Sequence, residues 1–181
     1  MAGGRQESAP PRVAHAIVLE TARLRLRRVD PGDAGFIVEL LNDPSWLRFI
    51  GDKGVRNEDD ARRYIENGPV AMYARSGFGL YLTELKANRT PIGLCGLIKR
   101  DGIDDIDIGF AFLPAYRGAG YARESSAAVL AYGREALCIP RIVAITSADN
   151  DASIRLCEKL GLRFEKMVRL PDGDAEIKLF A

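Results

Sequence analysis

The sequence predicts a mixed α+β fold: a central, mostly antiparallel sheet flanked by helices. Three strand-like runs, Phe78 to Leu85, Pro91 to Lys99 and Asp105 to Leu113, follow one another with only short turns at Ala87-Asn88-Arg89 and Asp101-Gly102 between them. Connections that short favour antiparallel neighbours over parallel ones. Helical patterns stand before and after this meander, so the sheet has helices to cover it. The 181 residues are 47% hydrophobic and 28% charged, an ordinary balance for one globular domain that can bury its own core.

The elements follow in order. Residues 1–16 begin MAGGRQESAPP, a small, polar, proline-containing stretch that reads as a mobile tail, and 17–181 read as a single domain. Ile17 to Val29 alternates apolar Leu24 and Leu26 with Arg23, Arg25 and Arg27, the period of a half-buried strand. Asp30-Pro31-Gly32-Asp33 is a turn and helix start, and Phe36, Ile37, Leu40 and Leu41 give the helix to about Asn42 an apolar face. Asn57 caps a second helix through Asn67, with Glu58, Asp59 and Asp60 in its first turn and Gly68 just past its end. Ala71 to Ala74 extends a further helical stretch. After the meander, Ala122 to Leu137 is a long helix and Arg141 to Thr146 a short buried strand. Asn150 or Asp151 opens another helix closed by Gly161. Leu162 to Leu170 and Glu176 to Phe180 form a final hairpin around Pro171-Asp172-Gly173.

Composition excludes several functions. A net charge of +1 lacks the basic excess of a domain devoted to nucleic acid. No apolar run approaches a membrane span, and the amino terminus lacks the apolar core of a signal peptide. Cys95, Cys138 and Cys157 are odd in number and unrelated in spacing, which indicates reduced thiols, a cytoplasmic protein and no zinc site. The single histidine, His15, falls in the tail, so neither a histidine triad nor a metal centre is expected. Cys157 lies on an apolar helix face with Ile154 and Leu160 and reads as a core residue, not a nucleophile.

The chemistry concentrates at Leu113-Pro114-Ala115-Tyr116-Arg117-Gly118-Ala119-Gly120-Tyr121-Ala122, where a strand ends, a glycine loop turns and a helix begins. Unsatisfied N–H groups and the positive end of the helix dipole make such a start a phosphate site. Glycines let the backbone approach a ligand, and Arg117 adds positive charge. A P-loop is disfavoured because no Gly-Lys-Ser or Gly-Lys-Thr follows, and a dinucleotide-binding module because Arg123 stands where a small residue is needed.

The spacing Arg117-x-x-Gly120-x-Ala122 resembles the pyrophosphate motif of the GNAT superfamily of N-acetyltransferases. Asp107-Ile108-Gly109-Phe110 is similar to that family's central strand. Asn150-Asp151-Ala152-Ser153-Ile154-Arg155 and Glu158-Lys159-Leu160-Gly161-Leu162 are similar to its next helix and exit. The combination looks like the ribosomal-protein N-terminal acetyltransferase (RimJ/RimL-like) branch and covers roughly Ile17 to Ala181. Asp107 departs from the longer Glu of many relatives.

The resemblance implies a cleft where strands Asp105 to Leu113 and Arg141 to Thr146 splay apart around acetyl-CoA. Phe110, Ala111, Phe112 and Leu113 would pair with the pantetheine arm, and Asn150 would bond it from the other side. Arg117, Gly118, Ala119, Gly120, Tyr121 and Ala122 would hold the pyrophosphate. The reaction is aminolysis of a thioester through a tetrahedral intermediate, so a base must take the amine's proton and an acid can assist the thiolate. Asp107 is the expected base, Glu84 the second choice, and Ser153 the expected acid or sulfur orienter. Trp46, Arg48 and Phe49 are the expected acceptor contacts. The acceptor is a primary amine, either a peptide or protein N-terminus or a small molecule such as an amino acid, polyamine or antibiotic. A non-catalytic acyl-CoA sensor is the competing class. No metal, nucleic acid or membrane is implied, and the protein is expected to be a monomer or a homodimer.

Overall fold

A computed structural model describes residues 16–171 and 175–181. The proposed tail through His15, and the tip of the last turn at Asp172 and Gly173, lie outside the described residues. One sheet of eight strands runs in the order β1-β2-β3-β4-β5-β6-β8-β7. Its strands are β1 (Ile17–Glu20), β2 (Leu24–Arg28), β3 (Leu80–Leu85), β4 (Pro91–Lys99), β5 (Ile106–Phe112), β6 (Ile142–Ser147), β7 (Phe164–Val168) and β8 (Ile177–Phe180). The expected single strand from Ile17 to Val29 is a hairpin instead. Thr21 Oγ1 accepts from Leu24 N–H at 3.0 Å and turns the chain, and β1 pairs antiparallel with β2.

The β3-β4-β5 meander is antiparallel throughout. β5 and β6 are parallel neighbours, but they pair only at Ile106 with Ile142 and Asp107 with Val143. Beyond Asp107 the two strands separate. β6 turns to β8 and pairs with it from Ala144 to Ser147. The sheet therefore opens into a V whose closed end is at Asp107.

The helices are α1 (Ala34–Leu41), α2 (Pro44–Phe49), α3 (Glu58–Ile65), α4 (Ala71–Ser76), α5 (Tyr121–Glu135) and α6 (Asp151–Lys159). Asp30 and Asp33 close a capping box ahead of α1. Asp43 accepts from Ser45 and Trp46 N–H and starts α2 with Pro44 in its first turn, a helix the apolar periodicity does not reveal. The helix capped by Asn57 does not end at Gly68. A π turn, Glu66–Val70, carries it through Gly68 and Pro69 into α4, and Gly77 at φ 77° ends the run.

Two cores lie on opposite faces of the sheet. One gathers Leu24, Leu26, Ile108, Phe112, Val129, Leu130, Ala144, Cys157 and Phe180 under α5 and α6. The other gathers Leu82, Leu94 and Leu113 under Ile37, Leu40, Leu41, Trp46, Ala61 and Ile65 of α1 to α3. Side chains alternate along a strand, so Asp107, in step with Ala111, belongs to the α1–α3 face. Among the described residues no helix is long and apolar enough to cross a membrane.

Candidate active site

The open part of the V offers a backbone edge. Leu113 N–H bonds to Ile92 O on β4 at 3.0 Å. By the antiparallel alternation, the N–H and C=O of Ile108 and Phe110 therefore point away from β4, into the gap. An extended amide-bearing ligand can pair with that edge. Phe110 and Ala111 are half-buried there, and Phe112 and Leu113 are core residues.

At the end of β5 the chain passes through Pro114–Tyr116 into the glycine loop and α5. Gly118 and Gly120 have φ of 78° and 84°, the left-handed conformation that glycine adopts without penalty. Gly120 is the N-cap of α5, and no side chain caps the helix. Its first N–H groups are thus left for a ligand. A Cβ at Gly118 would meet nothing within 4 Å, so the loop's outer surface is open. Ala119, Tyr121 and Ala122 lie along it.

Arg117 does not project a free charge. Its Nε donates to Phe112 O at 2.8 Å, and its Nη2 pairs with Asp43 at 2.7 Å. It braces the loop against β5 and α2. A second cation, unrecognised in the sequence, stands at the loop. Arg23 donates to Ala119 O at 3.0 Å, lies 4.4 Å above the Tyr121 ring and pairs with Glu124 at 2.7 Å. Its place in an alternating strand gave no signal of this.

Across the gap, Asn150 Oδ1 accepts from Ser153 N–H at 3.2 Å and caps α6. The Ser153 side chain is half-buried, one turn before Cys157. The Cys157 thiol is buried and pushed up to about 11 by burial first and by the charge of Asp107 second, which suits a core thiol and not a nucleophile.

Asp107 closes the V. It is 1% exposed, whereas its neighbour Asp104 is exposed and Asp105 pairs with Arg141 at 2.9 Å. The acidic run is therefore not uniform wet surface. Asp107 Oδ2 accepts from Arg100 Nε at 2.5 Å, and Oδ1 is buried with no hydrogen-bond partner among the described residues. Burial pushes this carboxyl up to about 6, against the pull of Arg100 and of the Ile145 backbone amide. That amide is near enough to act on the carboxyl but stands outside hydrogen-bonding geometry to Oδ1.

Glu84 is placed differently. It is 2% exposed, with Oε2 3.2 Å from Arg27 Nε and Oε1 held by Arg89 Nε. Arg27 also grips Asp33 through two bonds, at 2.9 and 2.7 Å. With both oxygens engaged in a buried ion-pair cluster, Glu84 has no free position for a substrate proton.

The expected acceptor residues share α2 but not an environment. Trp46 is 5% exposed and packs into the core beneath α1, so it is not an open wall. Arg48 is exposed, lies 4.8 Å from the Phe49 ring and pairs with Asp149 at 3.0 Å. Phe49 is half-buried, and its carbonyl accepts from Ser147 Oγ at 3.5 Å. Residues 48 and 49 thus tie α2 to the loop between β6 and α6, across the mouth of the V on the α1–α3 face. Tyr64 of α3 completes this side. Burial raises its hydroxyl to about 12, against the nearby Arg100 charge.

The chain matches the acetyltransferase (GNAT) domain family over residues 23–163. A Bacillus subtilis protein described as an uncharacterized N-acetyltransferase, YoaA, is 29% identical over 154 residues, covering 84% of this chain and 86% of its own. The crystal structure of a GNAT-family acetyltransferase from Bacillus anthracis superposes with a TM-score of 0.73 at 26% identity, over 89% of this chain and 93% of that one. The fold is also shared with the Salmonella typhimurium acetyltransferase that modifies the N-terminal serine of ribosomal protein L7/L12. That superposition has a TM-score of 0.76 at 16% identity, over 91% and 97% of the two chains.

Proposed function

The chain belongs to the GNAT acetyltransferase family and is an acetyl-CoA-dependent acyltransferase; from that premise we propose that its acceptor is a primary amine approaching Asp107 from the α1–α3 face, with a peptide or protein N-terminus favoured. The observation that carries the reading is Asp107 itself: a buried carboxylate at the closed end of the V, with one oxygen unpartnered. Acetyl-CoA fits the opposite side, its pyrophosphate on the uncapped start of α5 and its pantetheine arm along Ile108 to Phe110.

The amine attacks the thioester carbon while Asp107 accepts its proton. Because Oδ1 is covered, the proton passes through one bridging water, a partner that an unsatisfied buried oxygen accommodates. Ser153, at the start of α6, donates a hydrogen bond that orients the departing thiolate, which takes its proton from water, and Asn150 keeps its amide nitrogen for the pantetheine arm. A carboxyl titrating near 6 is ionised at neutral pH yet basic enough to take a proton.

Two facts favour a peptide α-amine. Its reference pKa lies about 2–3 units below that of a lysine, so more of it is neutral. The Arg48–Asp149 pair offers both charge signs at the mouth, which suits an amine carrying its own polar groups. The fold shared with a ribosomal-protein N-terminal acetyltransferase points the same way. The burial of Trp46 favours a second reading, a small-molecule amine, because it removes one wall expected to grip a longer acceptor.

The test has two arms. Acetyl-CoA at a hundredfold excess over its Kd should add about 2.7 kcal/mol of stability, seen as a melting shift of roughly 5–10 °C, while NAD does little. Thiol release should then be faster with short peptides bearing free N-termini than with spermidine, free lysine or an aminoglycoside. Rapid turnover of the small amines with inert peptides would replace the peptide reading with the small-molecule one.

A further inference from the structure

Oδ2 of Asp107 is 2.5 Å from Arg100 Nε, and Oδ1 has no partner among the described residues. Arg100 immediately follows β4, the strand that pairs with β5. Its side chain is 33% exposed, so it keeps contact with water while reaching a carboxylate that has none. Carboxylates bound by arginine commonly use both oxygens, as Asp33 does on Arg27. At Asp107 a single bond is made, and it divides the carboxylate into one held and one unheld oxygen.

We propose that Arg100 is the positioning residue of this active site: it fixes Asp107 through Oδ2 and so makes Oδ1 the atom that receives the acceptor amine's proton. The inference rests on the reading of Asp107 as the base. Arg100 also keeps that base charged in a site that would otherwise neutralise it, because a guanidinium remains protonated at all working pH values. The other groups facing Asp107 do not duplicate this role. From β6 comes the Ile145 amide, and from α6 the Cys157 thiol, which is neutral. On α3, Tyr64 stands beside Arg100 and is neutral as well. Asp105, two residues away, is occupied by Arg141.

The chemistry imposes an order on the two oxygens. The proton leaves the attacking nitrogen as the nitrogen–carbon bond forms and arrives at Oδ1. Oδ2 keeps its bond to Arg100 throughout. The proton then returns to solvent after the acetylated product departs, which restores the carboxylate.

Arg100→Met and Arg100→Lys test this, with Asp107→Asn as the reference. The Asp107 carboxyl is titrated by carbon NMR of enzyme labelled at aspartate Cγ, its signal identified by its loss in Asp107→Asn. Turnover is followed in parallel against pH. Arg100→Met should move the carboxyl titration and the acid limb of turnover upward together by about 1–3 units. Turnover near pH 7 then falls about 2- to 100-fold and recovers at high pH, with the KM for acetyl-CoA unchanged. Arg100→Lys, which retains charge but not the geometry, should fall between. An unmoved titration in either folded variant, or a loss equal at every pH, overturns the proposal while Asp107 stands as the base. Wild-type turnover and an intact acid limb in Asp107→Asn would overturn the base assignment and the role of Arg100 with it.

Discussion

Glu84 on β3 and Asp107 on β5 are buried alike, at 2% and 1% exposure, and each meets arginine. They differ in how many oxygens are engaged. Glu84 lies where β3 is paired on both sides, across a bulge in its register with β4, between Arg27 and Arg89, and neither of its oxygens is spare. Asp107 lies where pairing stops, and one of its oxygens is spare. Burial alone does not make a carboxylate reactive. A fully engaged pair maintains structure, whereas a half-engaged one at a gap retains a position for a substrate proton.

Opposite substitution profiles at the two sites would sharpen this contrast. The largest effect should be in turnover. Asp107→Asn keeps acetyl-CoA affinity but lowers turnover by roughly 10²–10⁴-fold near neutral pH, partly rescued at high pH where free amine is abundant. Wild-type rates in that variant would erase the distinction between the two carboxylates. Glu84→Gln should do the reverse. It leaves Arg27 in a buried cluster with one carboxylate fewer, at a cost of about 3–5 kcal/mol. Its melting temperature should drop by roughly 6–20 °C, with turnover per folded molecule within a few-fold of wild type.

Asp107→Asn should also be more stable than wild type at neutral pH. The carboxyl titrates near 6 in the fold against 3.8 in its ordinary state, so the folded protein binds the extra proton more tightly. Stability is then lost as pH rises from about 4 to about 6, by roughly 3 kcal/mol. The amide does not ionise, so Asp107→Asn should melt roughly 6–12 °C above wild type at pH 7.5, and the gap should close below pH 4. Equal melting curves across that range would mean that Asp107 is not held against its charge. The smallest effect is expected at Ser153→Ala, about a few-fold in turnover, because water protonates the thiolate.

Much of this arrangement was legible in the chain. β4 has the bounds the apolar run gave it, and the glycine loop opens α5 as its spacing suggested. Arg100 was not legible, because its tie to Asp107 depends on the register between two strands. Nor was the burial of Asp107, since Asp104, Asp105 and Asp107 share the composition of wet surface. Trp46 was expected as an apolar wall of the acceptor side, yet it is buried on a helix the periodicity does not reveal: position near an acceptor mouth does not say which way a ring turns. Arg117 was read from its charge and its place in the pyrophosphate motif, and its neutraliser, Asp43, is far from it in sequence.

The π turn between α3 and α4 has a rotational consequence. Ala61, Ile65, Pro69 and Tyr73 are all buried, one every four residues. In a uniform α-helix each such step overshoots a full revolution by about 40°, so the fourth member would be about 120° out of phase with the first. The π turn, where Ala71 N–H reaches back to Glu66 O, advances less per residue and retards the phase. Holding 66–70 at regular α pitch, with no residue removed, would swing α4 by roughly a quarter turn. That would withdraw the Tyr73 hydroxyl from Val29 N–H and Leu80 O, and its ring from Tyr81 at 5.8 Å. With the irregularity, one continuous helix points Tyr64 at Arg100 from one end and Tyr73 at the opposite core from the other.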